Sequence, residues 1–333
     1  MINLSQDIQS LSTFKRNTNE LITQIKETGN PVLTNSAPKP KPFLKWVGGK
    51  TQLITEIDHL INAQISKYNQ ITYIEPFVGG GAVLFHILSN FSQINNIIIN
   101  DINSNLINAY KLIQEDYKQL VSVLLEIEKT YHNLTSIESK KQFYLAKRTE
   151  FNQENIEFSI INKTALMLFL NKTGFNGLYR VNKKGKFNVP FGQYKAPTIC
   201  HTNNIISVHH HLQKVKILQG DFEQTLQYAK QPTIFYLDPP YKPIKSTSAF
   251  TSYSSEDFND EDQIRLKHFC DQIHLKGHFF ILSNSDVKNF NNENTFFDEL
   301  YQKYNIKRVK ARRSINSKGD GRGELFELLI SNF

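Results

Sequence analysis

The chain has 333 residues, 39% of them hydrophobic and 21% charged, with a formal net charge of +8; this is the composition of a globular protein with one large core or two domains, not of a disordered or fibrous one. Its two cysteines, Cys200 and Cys270, cannot build a disulfide framework or a zinc cluster, so a reducing, cytoplasmic compartment is expected. No apolar run approaches membrane-spanning length, Met1–Ser5 lacks the basic flank and apolar core of a secretory leader, and the basic excess points to an anionic partner, nucleic acid first.

Residues 1–28 carry a weak helical pattern through Leu11, Phe14, Leu21 and Ile25, and residues 29–42 (GNPVLTNSAPKPKP) read as a linker whose prolines prevent regular packing. Residues 1–42 are therefore expected to be an appended segment. Phe43–Lys50 (FLKWVGGK) precedes a helix expected from about Thr51 to Ala63. Ile71–Ile74 reads as a short strand that runs into Glu75–Gly81 (EPFVGGG) and a helix from Ala82 to Leu88. The strand Ile97–Ile99 ends in Asn100-Asp101, and a helix follows through Leu106, Tyr110 and Ile113. Strand, glycine turn, helix, strand, acid, helix is the βαβ unit of a doubly wound, mostly parallel α/β sheet. Glycines in the first strand-to-helix turn let a ligand approach the backbone above a helix N-terminus. An acid closing the second strand, here Asp101, 20 residues after Gly81, commonly accepts hydrogen bonds from ribose hydroxyls. The pattern favours a nucleoside-bearing cofactor over a plain turn. Neither phosphate-loop motif is complete, since Leu44 replaces the first P-loop glycine and Leu84 the third glycine of the dinucleotide fingerprint.

Residues 116–170 are polar and helical in pattern, whereas 171–195 (NKTGFNGLYRVNKKGKFNVPFGQYK) are dense in Gly, Asn, basic and aromatic residues. Arg180 suits bidentate pairing with a guanine edge, and Lys183, Lys184, Lys186 and Lys195 suit phosphates. Phe175 and Tyr179 offer faces for stacking or wedging, and Leu178 and Pro190 suit a thymine methyl. The alternative is a solvated basic hairpin. Lys214–Leu218 reads as a strand leading to Gly220-Asp221-Phe222, where Asp221 fits a helix N-cap as well as a ligand contact. His209, His210 and His211 do not share a helix face and read as surface residues, so no metal is expected.

Thr233–Leu237 is a β-branched and aromatic run that reads as a buried strand, and Asp238-Pro239-Pro240-Tyr241 follows it directly. The two prolines end the strand and stiffen the loop. That loop presents a carboxylate, free carbonyls and an aromatic ring, which suits a flat substrate with an NH₂ on its edge. The ring stacks on the flat face while Asp238 and the Pro239 carbonyl accept hydrogen bonds from the amine. Two acceptors favour a pyramidal, nucleophilic nitrogen in the transition state. A Pro-rich turn is the plain alternative. Residues 243–260, rich in Ser and Thr, read as mobile; a helix is expected from about Glu261 to Ile273 and a strand over His278–Leu282. The tail alternates between basic residues, Lys307–Arg313, and apolar ones, Leu325–Ile330.

In order, Phe43–Lys50, Glu75–Gly81, Asn176–Arg180 (NGLYR), Phe187–Gly192 (FNVPFG), Gly220–Phe222 and Asp238–Tyr241 (DPPY) resemble the Dam-type, GATC-class family of DNA adenine N6-methyltransferases, over residues 43–333. The resemblance implies a class I S-adenosylmethionine-dependent methyltransferase fold with an inserted helical and β-hairpin DNA-recognition domain. It implies a catalytic domain from 43–115 and 214–333 and a target-recognition domain from 116–213. Asp238, Pro239, Pro240 and Tyr241 would be catalytic. Trp46 and Lys50 would close over the methionine end of the cofactor, and Pro76, Phe77, Gly79 and Gly81 would hold it along the turn. Asp101 would bind its ribose and Asp221 and Phe222 its adenine, with Asp238 shared between cofactor and catalysis. DNA contacts would come from Lys45, Phe175, Asn176, Leu178, Tyr179, Arg180, Lys183, Lys186, Pro190 and Tyr194. The implied partners are S-adenosylmethionine and double-stranded DNA, with GATC as the site and the target adenine turned out of the helix; neither metal nor membrane is implied, and a restriction endonuclease acting separately on the same site is compatible. Gln193 departs from the pattern, standing where some relatives carry Arg, which bears on flanking contacts. Two other readings stay open: a methyltransferase for RNA adenine or a protein glutamine amide, and a non-catalytic DNA-binding module.

Overall fold

The computed structural model describes residues 38–46, 48, 50, 52–153, 159–230, 232–241, 258–289, 291–312 and 324–333. The expectations for residues 1–37 and for the Ser- and Thr-rich stretch up to 257 lie outside the described residues. The chain divides into two units, Met1–Pro38 and Lys39–Phe333. In the second, Lys41 pairs its backbone N–H and C=O with the Asn204 side chain, both at 2.9 Å, and Lys39 Nζ donates to Asn90 Oδ1 at 2.7 Å. The compact unit thus begins four residues before the first family-like motif.

Among the described residues seven strands form one sheet: β1 (Thr72–Glu75), β2 (Asn96–Asp101), β3 (Val215–Gln219), β4 (Thr233–Leu237), β5 (Phe279–Ser285), β6 (Asn305–Arg312) and β7 (Glu324–Ser331), in the order β3-β2-β1-β4-β5-β7-β6. The first five of that order pair in parallel, and β7 runs antiparallel to both β5 and β6. Central parallel strands are covered on both faces, so they read as continuous apolar runs rather than as alternations. β1 and β4 are buried at every position, as are Ile97–Asn100 in β2. The basic and apolar stretches of the tail are the two partners β6 and β7. This is the sheet of a class I methyltransferase. Strand order reverses between β1 and β4, and in open α/β sheets the crevice beyond the strand ends at such a switch is where ligands bind.

Eight helices accompany the sheet among the described residues: α1 (Ile54–Ile65), α2 (Ala82–Asn90), α3 (Ser104–Asn133), α4 (Ile137–Phe151), α5 (Ile160–Thr173), α6 (Thr202–Leu212), α7 (Asp260–Leu275) and α8 (Phe296–Leu300). The helical pattern of 116–170 resolves into the end of α3, then α4 and α5. α3 runs through a kink at Asp116 (φ −144°, ψ 64°), and the breaks after it are written in Ser136 and Ser159, whose side chains cap the next helix by accepting from the N–H three residues on. The basic segment after α5 folds back through isolated antiparallel bridges, Gly174 to Phe191 and Val181 to Phe187. Tyr144 Oη and Arg148 Nη1 of α4 both donate to Val189 O, at 2.9 and 3.1 Å, and fasten the returning limb.

Gly81, at the N-cap of α2, has φ 74°, and a Cβ there would lie 2.4 Å from Tyr110 Oη and 2.9 Å from the Phe85 ring. Gly185 has a similar φ of 70° with nothing within 4 Å. Gly81→Ala should lose about 2–5 kcal/mol of stability, from left-handed strain plus overpacking. Gly185→Ala should lose only the strain, about 1–2 kcal/mol. Equal losses in guanidinium unfolding would contradict the steric argument.

Candidate active site

A cavity of about 1160 Å³ opens beyond the carboxyl ends of β1, β2 and β4. Its walls are the Glu75–Gly81 turn, Asp101–Asn103, Gly220–Phe222, Asp238–Tyr241 and an arm that includes Lys45, Trp46 and Lys50. Asn100, fully buried, knits three of these together: its amide donates to Pro76 O at 3.0 Å and to Gly220 O at 2.9 Å, and its backbone carbonyl accepts from Val78 N at 2.9 Å. Asp101 accepts from Gly79 N at 3.0 Å and from Asn103 N at 2.9 Å, one bond to each carboxylate oxygen. Burial pushes its carboxyl up, against the lowering effect of those N–H bonds. The Ile102 backbone N–H also bonds the carboxylate, and the carboxylate's roughly four lone-pair sites still leave room for a ligand hydroxyl. Ile102 beside it is 63% exposed on the same wall, an apolar surface that the sequence reading passed over.

Trp46 lies against the glycine turn so closely that a Cβ on Gly80 would come within 2.7 Å of its own Cβ. On its other side it stacks on Tyr179, with ring centroids 5.3 Å apart and planes at 24°. Tyr179 is 4% exposed and its hydroxyl accepts from Asn105 Nδ2 at 3.2 Å. This corrects the expectation of a DNA-facing ring: its neighbours bury it, and it props the arm instead. Phe77 packs on Phe222 at 5.2 Å, and the Arg265 guanidinium sits 4.4 Å from the Phe222 ring centroid. Asp221 caps the turn Phe222–Tyr228 by accepting from Glu223 N at 3.0 Å, and it also lines the cavity while accepting from Arg265 Nη1 at 2.9 Å. Arg265 had no signal in the sequence beyond lying on a helix.

At the end of β4, Asp238 Oδ1 meets Lys50 Nζ at 2.9 Å and accepts from Ser283 Oγ at 3.1 Å. The Lys50 side chain is 2% exposed. Its ammonium also donates to Tyr241 Oη, lies 4.4 Å from the Tyr241 ring centroid and is 3.8 Å from Glu327 Oε2. Tyr241 Oη donates to Glu327 Oε2 at 3.0 Å. Desolvation in the cavity wall raises the Asp238 carboxyl, while the Lys50 charge and hydrogen bond hold it down. Burial, then Asp238 and Glu327, push the Tyr241 phenol well up, so it stays neutral. Pro239 is buried, and Pro240 O accepts from the buried Gln263 Nε2 at 3.3 Å, which fixes the loop. On the cavity floor Glu75 is 2% exposed and accepts from Tyr73 Oη at 2.8 Å. Burial raises its carboxyl well above the ordinary range, and Asp238 and Asp101 add to the rise.

The residues expected at DNA divide. Lys45 and Asn176 line the cavity, and Lys45 Nζ lies 5.3 Å from the Tyr194 ring centroid. Lys183, Lys186 and Pro190 are exposed, as are Lys184, Lys195 and Phe175. Leu178 and Tyr194 are half-buried. Arg180 spends Nε on Asn188 Oδ1 at 2.7 Å and one Nη2 hydrogen on Asn188 O at 3.3 Å, which locks its stem to the opposite limb. Lys172, unremarked in the sequence, lines the cavity beside Lys45, where burial and that neighbour lower its proton affinity. His209, His210 and His211 are half-buried rather than surface residues; the Nδ1 atoms of His209 and His211 face Ile113 O at 2.9 Å and Ser207 O at 2.8 Å. Among the described residues no group of three His, Cys, Asp or Glu is arranged around a common metal position, and no helix is long and apolar enough to cross a membrane.

A family model described as D12 class N6 adenine-specific DNA methyltransferase matches residues 46–315. Type II methyltransferase M.MjaIII of Methanocaldococcus jannaschii is 45% identical over 88% of this chain and 99% of its own. The DNA adenine methylases of Haemophilus influenzae and of Escherichia coli K12 are 34% and 32% identical, over 87% of this chain and 93% and 95% of theirs.

The Lys50 contact yields a pH signature. An ionised Asp238 is the form that best accepts hydrogen bonds from an amine, and the Lys50 charge and hydrogen bond oppose the rise that desolvation brings to its carboxyl. Lys50→Met should move the acid limb of the methylation rate profile toward alkaline pH by roughly one to three pH units. Activity lost at neutral pH should return in part as pH rises. An acid limb that does not move would show that Lys50 does not hold the Asp238 charge.

Proposed function

The chain belongs to the D12 class of N6 adenine-specific DNA methyltransferases, and we propose that it takes its methyl group from S-adenosylmethionine and places it on the adenine of GATC in duplex DNA. The observation that carries the reading is the Lys50–Asp238–Tyr241 cluster at the end of β4, set in the wall of a cavity whose other walls suit a nucleoside.

The residues fit the cofactor. Glycines give close backbone approach, Asp101 keeps lone pairs for ribose hydroxyls, and Ile102, Phe77 and Phe222 supply apolar wall for an adenine. Trp46 and the glycine turn would enclose the methionine end, and Asp221 would meet the adenine edge. When bound, S-adenosylmethionine supplies an electrophilic methyl group on a sulfonium.

The chain's own residues do the rest. Turning the target adenine out of the duplex costs a few kcal/mol. Stacking on Tyr241, whose ring Glu327 and Lys50 hold in place, offsets about 1–3 kcal/mol of that. Asp238 and the Pro239 carbonyl accept from the amine and favour the pyramidal nitrogen. The raised proton affinity of Asp238 suits it to take up the proton that N6 sheds. Residues 116–213 would read the duplex, with Arg180 and Lys45 on guanine edges, Leu178 and Pro190 near thymine methyls, and Lys183 and Lys186 on phosphates.

Long-read sequencing of DNA from cells that express the protein tests both parts. N6-methyladenine should appear at GATC and be absent from cells without the protein. No modified adenine would contradict the activity, and modification at another sequence would overturn the GATC assignment alone.

A further inference from the structure

Asn171, two residues before the end of α5, is 1% exposed and uses its whole amide on two segments, one distant in sequence and one six residues on. Its Oδ1 accepts from Lys45 N at 2.8 Å, while its Nδ2 donates to Lys45 O at 2.9 Å and to Gly177 O at 2.8 Å. An amide carries two donors and one acceptor oxygen, and every one of them is engaged here. The side chain therefore pairs with the Lys45 backbone in both directions, as a neighbouring strand would. With its second N–H it holds the turn at Asn176-Gly177.

Two contacts run alongside. Trp46 stacks on Tyr179, as described, and Gly177 lies so close to the Lys45 stem that a Cβ there would stand 2.3 Å from Lys45 Cδ. Asn176 and Gly177 are both left-handed, with φ 54° and 64°, a pairing that needs outside support when one member carries a side chain. On one side of this joint is the Lys45–Trp46 arm, packed on the glycine turn of the cofactor wall. On the other is the turn that leads from the exposed Phe175 to Arg180.

We propose that Asn171 is a positioning residue that couples the two halves of the site. Duplex DNA against the 175–180 turn fixes the Lys45–Trp46 arm, and a ligand beneath the arm fixes the turn. The inference rests on the reading that duplex DNA and S-adenosylmethionine are the two ligands. Such coupling is reciprocal, so the same factor appears whichever ligand binds first.

The test uses S-adenosylhomocysteine, which has no methyl group to transfer, titrated calorimetrically into the full-length protein with and without an unmethylated duplex carrying the sequence it modifies. The wild type should bind it at least about fivefold more tightly on the duplex. Trp46 is the one tryptophan of the chain, so its emission gives a second readout independent of activity, and it should change on addition of DNA alone. In Asn171→Ala both ligands should still bind, the factor should fall below about twofold, and Trp46 should cease to respond to DNA. A merely structural role would weaken both ligands and leave the factor intact, which overturns the proposal. If Asn171→Ala does not fold, Gly177→Ala, whose added methyl collides with the Lys45 stem at the same joint, carries the same expectation. Failure of either ligand to bind the wild type sinks the functional reading and the joint with it. Binding of both without coupling sinks the joint alone.

Discussion

The ammonium of Lys50 lies where its side chain is 2% exposed, and a charge so far from water persists only among counter-charges and acceptors. Asp238 supplies the first at 2.9 Å, Glu327 the second at 3.8 Å, and the Tyr241 hydroxyl and ring complete its surroundings. That one requirement joins the arm before α1, the loop after β4 and the middle of β7. Ser283 of β5 joins through Asp238. The lysine's charge and hydrogen bond in turn oppose the rise that desolvation brings to the Asp238 carboxyl, the group proposed to receive the substrate amine. Removing one member would leave a buried charge without its partner, a loss of several kcal/mol.

The acids around the cavity differ in their settings. Glu75, beneath it, is wholly buried and its proton affinity is strongly raised. Asp101 receives three backbone N–H groups and Asp238 an ammonium, each of which opposes the effect of burial. Three carboxyls at the ends of adjacent parallel strands thus need not all carry charge together. Strand order brings them there, because β1 lies between β2 and β4 and each strand ends in its acid or delivers the chain to one.

Much of this frame was legible in the sequence because it rests on local rules. Continuous apolar runs marked β1, β2 and β4, glycines marked the first turn, and the two prolines marked the loop that carries Asp238. What stayed hidden depends on partners distant along the chain. Glu327 sits 86 residues from Tyr241, in a stretch that shows in the sequence only as apolar. Asn171 reaches Lys45 across 126 residues. Arg265 gave only the signature of an exposed helix residue. Tyr179, an aromatic among lysines, fits a stacking face for DNA and an internal prop equally well. Only the position of Trp46 decides between them. Composition tells which residues a segment can offer, and packing tells which of them have been taken.

In the proposed mechanism Asp238 acts on the substrate amine rather than on the binding of either partner. Single-turnover transfer of a labelled methyl group from S-adenosylmethionine to a duplex, measured for wild type and Asp238→Ala beside their affinities for the duplex, addresses it directly. The rate of Asp238→Ala should be lower by about 10²- to 10³-fold, the scale of a lost pre-organised contact to the reacting centre, with duplex affinity within a few-fold of wild type. A variant that keeps about a tenth or more of the wild-type rate, or one whose loss lies wholly in duplex binding, would contradict it.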